Sequence, residues 1–285
     1  MNDSELSALG VTRDKGRGGQ DRVLVRNDLA EAEIYLHGAT VTHYQPTGHA
    51  PVLFVSSNAI FDGAKPIRGG VPICWPWFGP HPTDLSQPQH GTVRTKAWTL
   101  TYAERQPDGA TRLSFSVETH EVEVTYLVTV GRSLTTTLIA ANRSTMPLNI
   151  TEALHSYLAV GDLRQISVEG LAGVDYIDRV AHNRDQQPAG AIRFNGEFDR
   201  TFLNTVTPVT VIDPMWKRRL IISKQGSKST VVWNPGAEKI TTFKDLAADQ
   251  WPMFVCVETA NASDNVVTVA PGTSHVMEAE ISVVG

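Results

Sequence analysis

The sequence predicts an all-β protein, built as a sandwich or a barrel. Apolar and polar residues alternate with period two over many short segments, and no amphipathic helix longer than about two turns is evident. Turn signals separate these segments at 107–109 (P-D-G), 130–132 (V-G-R) and 234–236 (N-P-G). Many short strands without alternating helices favour a sandwich or barrel over a parallel α/β sheet.

The clearest strand patterns lie in the middle of the chain and near its C-terminal end. The segment 13–22 is rich in glycine and charge, and it is interpreted as a flexible turn before the first strand. Alternation at 113–117, 122–130, 133–139 and 275–283 predicts strands, since these segments are rich in Val, Thr, Ile and Tyr. The best short helix candidate is D-L-A-A-D-Q at 245–250.

Composition limits the class of protein. The 285 residues are 41% hydrophobic, which is enough to bury a large core, and we expect a single domain over residues 1–285. The net charge of −5 provides no basic surface for nucleic acid or an anionic membrane, and no apolar run approaches the length of a membrane span. We therefore expect a small-molecule ligand and a monomer.

The two cysteines, Cys74 and Cys256, are far apart and outside any metal-binding spacing. The first residues contain acids and no apolar signal region. Together these features favour a reducing, cytoplasmic location.

An irregular, aromatic segment at 65–80 is the densest unusual feature. It carries Arg68 beside two glycines, Gly69 and Gly70, which would let the backbone approach a ligand closely. Long loops with large aromatics often form binding walls, and flat rings could stack on a sugar. The same aromatics could equally plug the open end of a sandwich; they are Trp75, Trp77 and Phe78.

A second loop, at 87–94, carries polar groups that suit sugar or anion recognition. Gln89 and His90 offer short polar side chains, and Arg94 adds a second guanidinium. Arginine pairs with phosphate or carboxylate through planar, bidentate hydrogen bonds. Two arginines in loops that contain glycine and proline are therefore a candidate anion site.

Two strands carry candidate acid–base groups. At 151–160, His155 lies opposite an apolar row, where it could face a site or be an ordinary surface histidine. At 254–261, Glu258 lies in apolar surroundings, where an unpaired charge would be costly, so it is functional or part of a structural ion pair. Zinc, phosphate-loop, dinucleotide and serine-hydrolase motifs are absent, which favours acid–base chemistry without metal or cofactor, or binding without chemistry.

Five motifs occur in order along the chain: R-G-G-V-P-I-C-W-P-W-F-G at 68–79, Q-H-G-T-V-R at 89–94, L-H-S-Y-L at 154–158, F-D-R at 198–200 and V-C-V-E-T-A-N at 255–261. They resemble those of the hexose-6-phosphate mutarotases, or glucose-6-phosphate 1-epimerases, a branch of the aldose 1-epimerase-like proteins. The resemblance extends from about residue 30 to the C-terminus.

The resemblance implies a large antiparallel β-sandwich of the galactose mutarotase type. It makes His155 and Glu258 the catalytic pair and implies that no metal or cofactor takes part. One departure is Gly236, where many relatives have a second tryptophan, and this puts one wall of the cleft in question. Carried over by motif, Arg68 and Arg94 hold the sugar phosphate, and the other substrate contacts are Gln89, His90 and Asp199.

The implied reaction interconverts the α and β anomers of a D-hexose 6-phosphate, with glucose 6-phosphate as the first candidate. Glu258 would act as base and a protonated His155 as acid during ring opening. Three alternatives stay open: an epimerase of free aldoses, a non-catalytic carbohydrate-binding protein using Trp75 and Trp77, and a glycoside hydrolase using Asp199 as second carboxylate.

Overall fold

Antiparallel strands make up most of the fold. The computed structural model describes residues 1–285 and contains 22 strands. The first eleven are β1 (Val11–Lys15), β2 (Asp21–Arg26), β3 (Ala30–Tyr35), β4 (Thr40–Pro46), β5 (Ile73–Cys74), β6 (Thr99–Arg105), β7 (Thr111–Val117), β8 (Val122–Val130), β9 (Ser133–Asn142), β10 (Leu148–Ile150) and β11 (Glu152–Leu154). The others are β12 (Tyr157–Ala159), β13 (Ser167–Glu169), β14 (Asp175–Asp178), β15 (Asn183–Gln186), β16 (Phe198–Leu203), β17 (Val209–Asp213), β18 (Arg218–Gln225), β19 (Ser229–Asn234), β20 (Phe254–Asn261), β21 (Val267–Val269) and β22 (Ser274–Val284).

Helices are short and lie between strands or at the N-terminus. None is long and apolar enough to cross a membrane. The helix expected at 245–250 is displaced to a 3₁₀ turn at 248–253, which contains Pro252. The α-helices are α1 (Asp3–Ala8) and α2 (Gly236–Lys239), and the other 3₁₀ turns are Arg17–Gly19, Val93–Thr95 and Ile240–Thr242.

The N-terminal region is more regular than the sequence indicated. A capping box starts α1: the Asn2 side chain accepts from the Glu5 N–H, and the Glu5 carboxylate accepts from the Asn2 N–H, both at 2.9 Å. The segment 13–22 is not one flexible turn, because half of it belongs to β1 and β2, which pair with each other. Only residues 16–20 form the connection between them.

Two eight-stranded sheets define the sandwich. The front sheet has the order β15-β14-β16-β19-β20-β11-β5, and β12 also pairs with β20. The back sheet has the order β13-β17-β18-β22-β9-β8-β7-β6 and contains the strands predicted at 113–117, 122–130, 133–139 and 275–283. A four-stranded sheet, β1-β2-β3-β4, and the pair β10-β21 complete the fold. The prediction of an antiparallel β-sandwich is confirmed.

A cluster of 51 buried apolar residues fills the space between the sheets. In β20, Val255 and Val257 belong to this cluster, whereas Phe254 and Cys256 pack in a second cluster. Successive side chains of a strand point to opposite faces. Glu258 therefore shares the outer face of the front sheet with Phe254 and Cys256.

Candidate active site

A cleft of about 1230 Å³ lies on the outer face of the front sheet. It is larger than the roughly 300–1,000 Å³ of most small-molecule pockets, so a hexose phosphate has room to bind. Its residues come from the segments 68–94 and 148–157, from the connection after β14, from β16, β19 and β20, and from the segments that follow β19 and β20. Residues 1–67 contribute no side chain to it.

His155 and Glu258 meet because β11 and β12 both pair with β20. The register pairs Leu154 with Thr259 and Tyr157 with Cys256, so the break between β11 and β12 falls where His155 stands opposite Glu258. Nε2 of His155 lies 3.3 Å from Oε1 of Glu258. Both side chains are buried, and neither His155 Nδ1 nor Glu258 Oε2 has a hydrogen-bond partner.

Burial disfavours charge on both members of this pair. It raises the pKa of Glu258 well above its ordinary value, and nearby Asp199 adds to the effect. It also lowers the pKa of His155 well below its ordinary value, reinforced by His90, Arg94 and Arg68. The expectation of a protonated His155 near neutral pH is therefore not met in this arrangement, which favours a neutral imidazole and a proton on Glu258.

A second side-chain contact joins β11 and β20 three residues away from the His155–Glu258 pair. Glu152 on β11 stands opposite Asn261 on β20, and the Asn261 amide donates to Glu152 Oε1 at 2.9 Å. The same carboxylate oxygen lies 2.8 Å from Nε2 of His275 on β22. This buried cluster fixes the register that places His155 opposite Glu258.

His90 approaches the pair from the 87–94 loop. Its Nδ1 accepts a hydrogen bond from the Gly79 N–H at 3.2 Å, which assigns the proton of the neutral ring to Nε2. The ring is 6.0 Å from that of His155 and meets Phe78 edge-on. Burial, together with Arg94, lowers the pKa of His90 to about 3, so this ring is a neutral donor at physiological pH.

The two candidate phosphate ligands, Arg68 and Arg94, line the same cleft. Arg68 donates from Nε to Asp245 Oδ2 at 3.1 Å and from Nη1 to Tyr157 Oη at 3.2 Å. Arg94 donates from Nη2 to the carbonyl of the exposed Gln89 at 2.6 Å. Neither guanidinium uses all of its donors in these bonds, so both can bind an anion.

Asp199 lies on β16, directly across from Trp233 on β19. Both side chains line the cleft. Burial raises the pKa of Asp199 to about 6, although Lys239 and Arg179 partly oppose this. Its carboxyl group is placed to accept hydrogen bonds from sugar hydroxyls when it is ionised.

The aromatic wall differs from the predicted one in one residue. Trp77 and Phe78 line the cleft, but Trp75 does not: it is 3% exposed and belongs to the core between the sheets. Ile73 and Trp75 share the inward face of β5 and its extension, since residues two apart point the same way. The opposite wall is formed by Trp233, whose ring stands 6.1 Å from His155 at 79°.

The three glycines singled out in the sequence do not face the cleft. Gly236 is buried with φ +66, and a Cβ there would lie 2.6 Å from the Glu197 nitrogen, so a tryptophan at this position would not reach the cleft without moving the backbone. Gly69 and Gly70 pack against backbone rather than against a ligand, since a Cβ would lie 2.4 Å from the Phe54 oxygen or 2.1 Å from the Val41 oxygen.

Several cleft residues, and partners of cleft residues, were not predicted. Tyr157 could have been found, because it shares a strand face with His155. Asp245 belongs to the segment that the sequence predicts as a short helix, and nothing in the sequence singles out Arg179 or Lys239. Asp245 contacts Arg68 across 177 residues of chain, a pairing that local pattern cannot reveal.

Known proteins are similar to this chain in sequence and in fold. The model of the aldose 1-epimerase family matches residues 21–282. A provisionally named glucose-6-phosphate 1-epimerase of Cenchrus ciliaris is 32% identical over 280 residues, covering 90% of this chain and 83% of that protein. A protein of the same provisional name in Escherichia coli is 32% identical over 267 residues, covering 90% and 89%.

Solved structures of other proteins have a similar fold. The Salmonella typhimurium protein YeaD, provisionally described as a mutarotase, superposes with a TM-score of 0.89 at 28% identity, covering 96% of this chain and 93% of that one. A galactose mutarotase-like protein of Clostridium acetobutylicum has the same fold, with a TM-score of 0.70 at 11% identity over 96% and 98% of the chains. The chain therefore belongs to the aldose 1-epimerase family and is an enzyme of the isomerase class.

Proposed function

We propose that the enzyme interconverts the α and β anomers of a D-hexose 6-phosphate, with glucose 6-phosphate as the first candidate. The observation that carries this proposal is one cleft holding a paired acid and base, His155 and Glu258, together with Arg68 and Arg94. Arginine suits phosphate, which carries about −1.5 to −2 charges at pH 7. The names of the relatives in Cenchrus and Escherichia coli point to the same substrate.

The proposed reaction moves one proton at each of two oxygens. Glu258 takes the proton of the C1 hydroxyl, the C1–O5 bond breaks, and His155 protonates O5. Rotation about the C1–C2 bond presents the other face of the aldehyde, and the ring closes with the roles reversed. Each such transfer typically contributes about 10²–10⁴-fold.

The reaction depends on which member of the His155–Glu258 pair holds the proton. The pair holds the single proton that ring opening needs, but burial favours that proton on Glu258, whereas opening needs it on His155. A transfer from Oε1 to Nε2 over the 3.3 Å contact produces the reactive form without any other proton source.

Gln89, His90 and Asp199 are proposed to bind the sugar. All three line the cleft, and they offer an amide, a ring N–H and a carboxyl group for hydroxyl recognition. We further propose that residues 1–285 form one domain acting as a monomer in the cytoplasm. One core cluster shared by residues of all the larger sheets supports the single domain, and two free, buried cysteines suit the cytoplasm.

Anomer exchange measured by NMR exchange spectroscopy tests the function. We expect faster exchange of glucose 6-phosphate with the wild type, and loss of about 10²–10⁴-fold in His155→Ala and Glu258→Ala. His120→Ala is the matched control, because this histidine side chain is 95% exposed. Equal acceleration of glucose and its phosphate would favour the free-aldose alternative, and tight binding of both anomers without exchange would favour a binding protein.

A further inference from the structure

The cleft connects its arginines to the acid–base pair through side-chain contacts. The Arg68 guanidinium donates to Tyr157 Oη at 3.2 Å, and the Tyr157 ring lies parallel to the His155 ring with centroids 4.8 Å apart. His155 in turn contacts Glu258 at 3.3 Å. Arg94 enters the same cleft from the loop that carries His90.

Positive charge in this cleft opposes protonation of His155. After burial and His90, the charges of Arg94 and Arg68 are the remaining causes that lower the pKa of His155. The charge of Arg94 lowers the pKa of Glu258 as well, and Asp199 on β16 raises it. The other ionisable groups around the pair are Arg68 before β5, His90 in the 87–94 loop and Tyr157 on β12. Cancelling the Arg68 charge therefore makes protonation of His155 easier relative to Glu258, whereas cancelling the Arg94 charge affects both members of the pair.

We propose that an oxyanion held by Arg68 and Arg94 activates the His155–Glu258 pair, even when that anion is not attached to the sugar. This rests on the proposed function, since it assigns the phosphate site a second role in the same reaction. A bound dianion offsets the two positive charges, and one proton passes from Glu258 Oε1 to His155 Nε2. No other bond changes in that step.

If the anion need not be attached to the sugar, the two parts of the substrate can be supplied as separate molecules. Free glucose has the hemiacetal but lacks the anion, so the enzyme processes it slowly by itself. Glucose together with inorganic phosphite, a free dianion, supplies both parts. A change of about one pKa unit at His155 changes the reactive fraction about tenfold, so we expect phosphite to raise the enzyme-dependent exchange rate of glucose about tenfold.

The experiment measures glucose anomer exchange with the full-length enzyme in increasing sodium phosphite, with sodium chloride added to hold ionic strength constant. The rate without enzyme is subtracted at each phosphite concentration, because oxyanions themselves catalyse mutarotation. Arg94→Met should abolish the activation; Arg94 makes a single side-chain hydrogen bond, so this variant should fold. Arg112→Met is the matched control, since Arg112 is an exposed arginine on β7 of the back sheet, and it should keep the activation.

Competition with glucose 6-phosphate shows whether phosphite occupies the site. Phosphite that competes but leaves the glucose rate unchanged would overturn the inference. If phosphite does not compete, the test is a comparison of kcat for the two sugars. A kcat for glucose 6-phosphate about tenfold or more above that for glucose supports activation, and equal kcat values overturn it. Absence of any acceleration of glucose 6-phosphate would instead overturn the proposed function itself.

Discussion

Replacing Glu258 with glutamine should inactivate the enzyme and, at neutral pH, stabilise its fold. The carboxyl group is 1% exposed, and one of its oxygens has no partner. Burial raises its pKa well above 4.5. A carboxyl whose pKa is higher in the folded state stabilises the fold fully only below the unfolded value. This contribution is lost as the pH rises toward the folded pKa.

The magnitude follows from the pH window. While Glu258 stays protonated in the folded protein and ionised in the unfolded chain, the free energy of unfolding falls by about 1.4 kcal/mol per pH unit. Over the part of the interval from pH 5 to pH 7 that lies below the folded pKa, the loss reaches at most about 3 kcal/mol. Glutamine keeps the shape and does not ionise. The stability advantage of Glu258→Gln over the wild type should therefore be larger at pH 7 than at pH 5, by up to about 3 kcal/mol or up to about 5 °C in Tm.

Urea unfolding followed by tryptophan fluorescence at pH 5 and pH 7 measures this difference, and NMR exchange of glucose 6-phosphate measures the activity. We expect the activity to fall by about 10²–10⁴-fold. The control is Glu123→Gln, because Glu123 is an exposed carboxylate paired with Arg143 on the surface. A stability difference between Glu258→Gln and the wild type that is the same at both pH values would refute the reasoning.

Three further predictions concern single positions. Trp75→Ala should lower the free energy of unfolding in urea by about 3–5 kcal/mol but leave KM within about twofold, because this ring packs in the core. A large rise in KM would indicate that Trp75 contacts the substrate. Gly236→Ala should lower the free energy of unfolding by about 2 kcal/mol or more, because this residue has a positive φ and its Cβ would meet the Glu197 nitrogen. The loss should exceed that of Gly48→Ala, where φ is also positive but the space is open. Equal losses would contradict the steric contribution. Asp199→Asn should raise KM by a factor that grows from pH 5 to pH 7, because the wild-type carboxyl ionises near pH 6 and then accepts sugar hydroxyls; a constant factor would argue against that role.

The strands were predictable because their pattern is local. Alternation at 122–130 and 275–283 reports burial on one face of a strand, and the structure has β8 and β22 there. Which strands pair is not local. The meeting of His155 with Glu258 depends on a register between segments about 100 residues apart, and the resemblance to a family, not the pattern, indicated it.

The errors have physical reasons. Trp75 and Trp77 look equivalent in a segment rich in proline and glycine. A two-residue strand, β5, places Trp75 inward with Ile73, whereas Trp77 lies beyond the strand and does not follow its alternation. Such a strand is too short to leave a periodic signal. The ionisation of His155 was missed because it depends on burial and on charges from two other segments of the chain, the 65–80 segment and the 87–94 loop.

The position of β22 in the back sheet has a consequence for biosynthesis. Residues 274–284 lie between β18 and β9 and pair with both, so this strand joins the two halves of the sheet. While the ribosome is still adding residues 226–273, a nascent chain displays the unpaired edges of β9 and β18. Open edges of this kind recruit strands from other chains. The sheet can close only when residues 274–284 are available, and until then these two open edges favour aggregation of the incomplete chain.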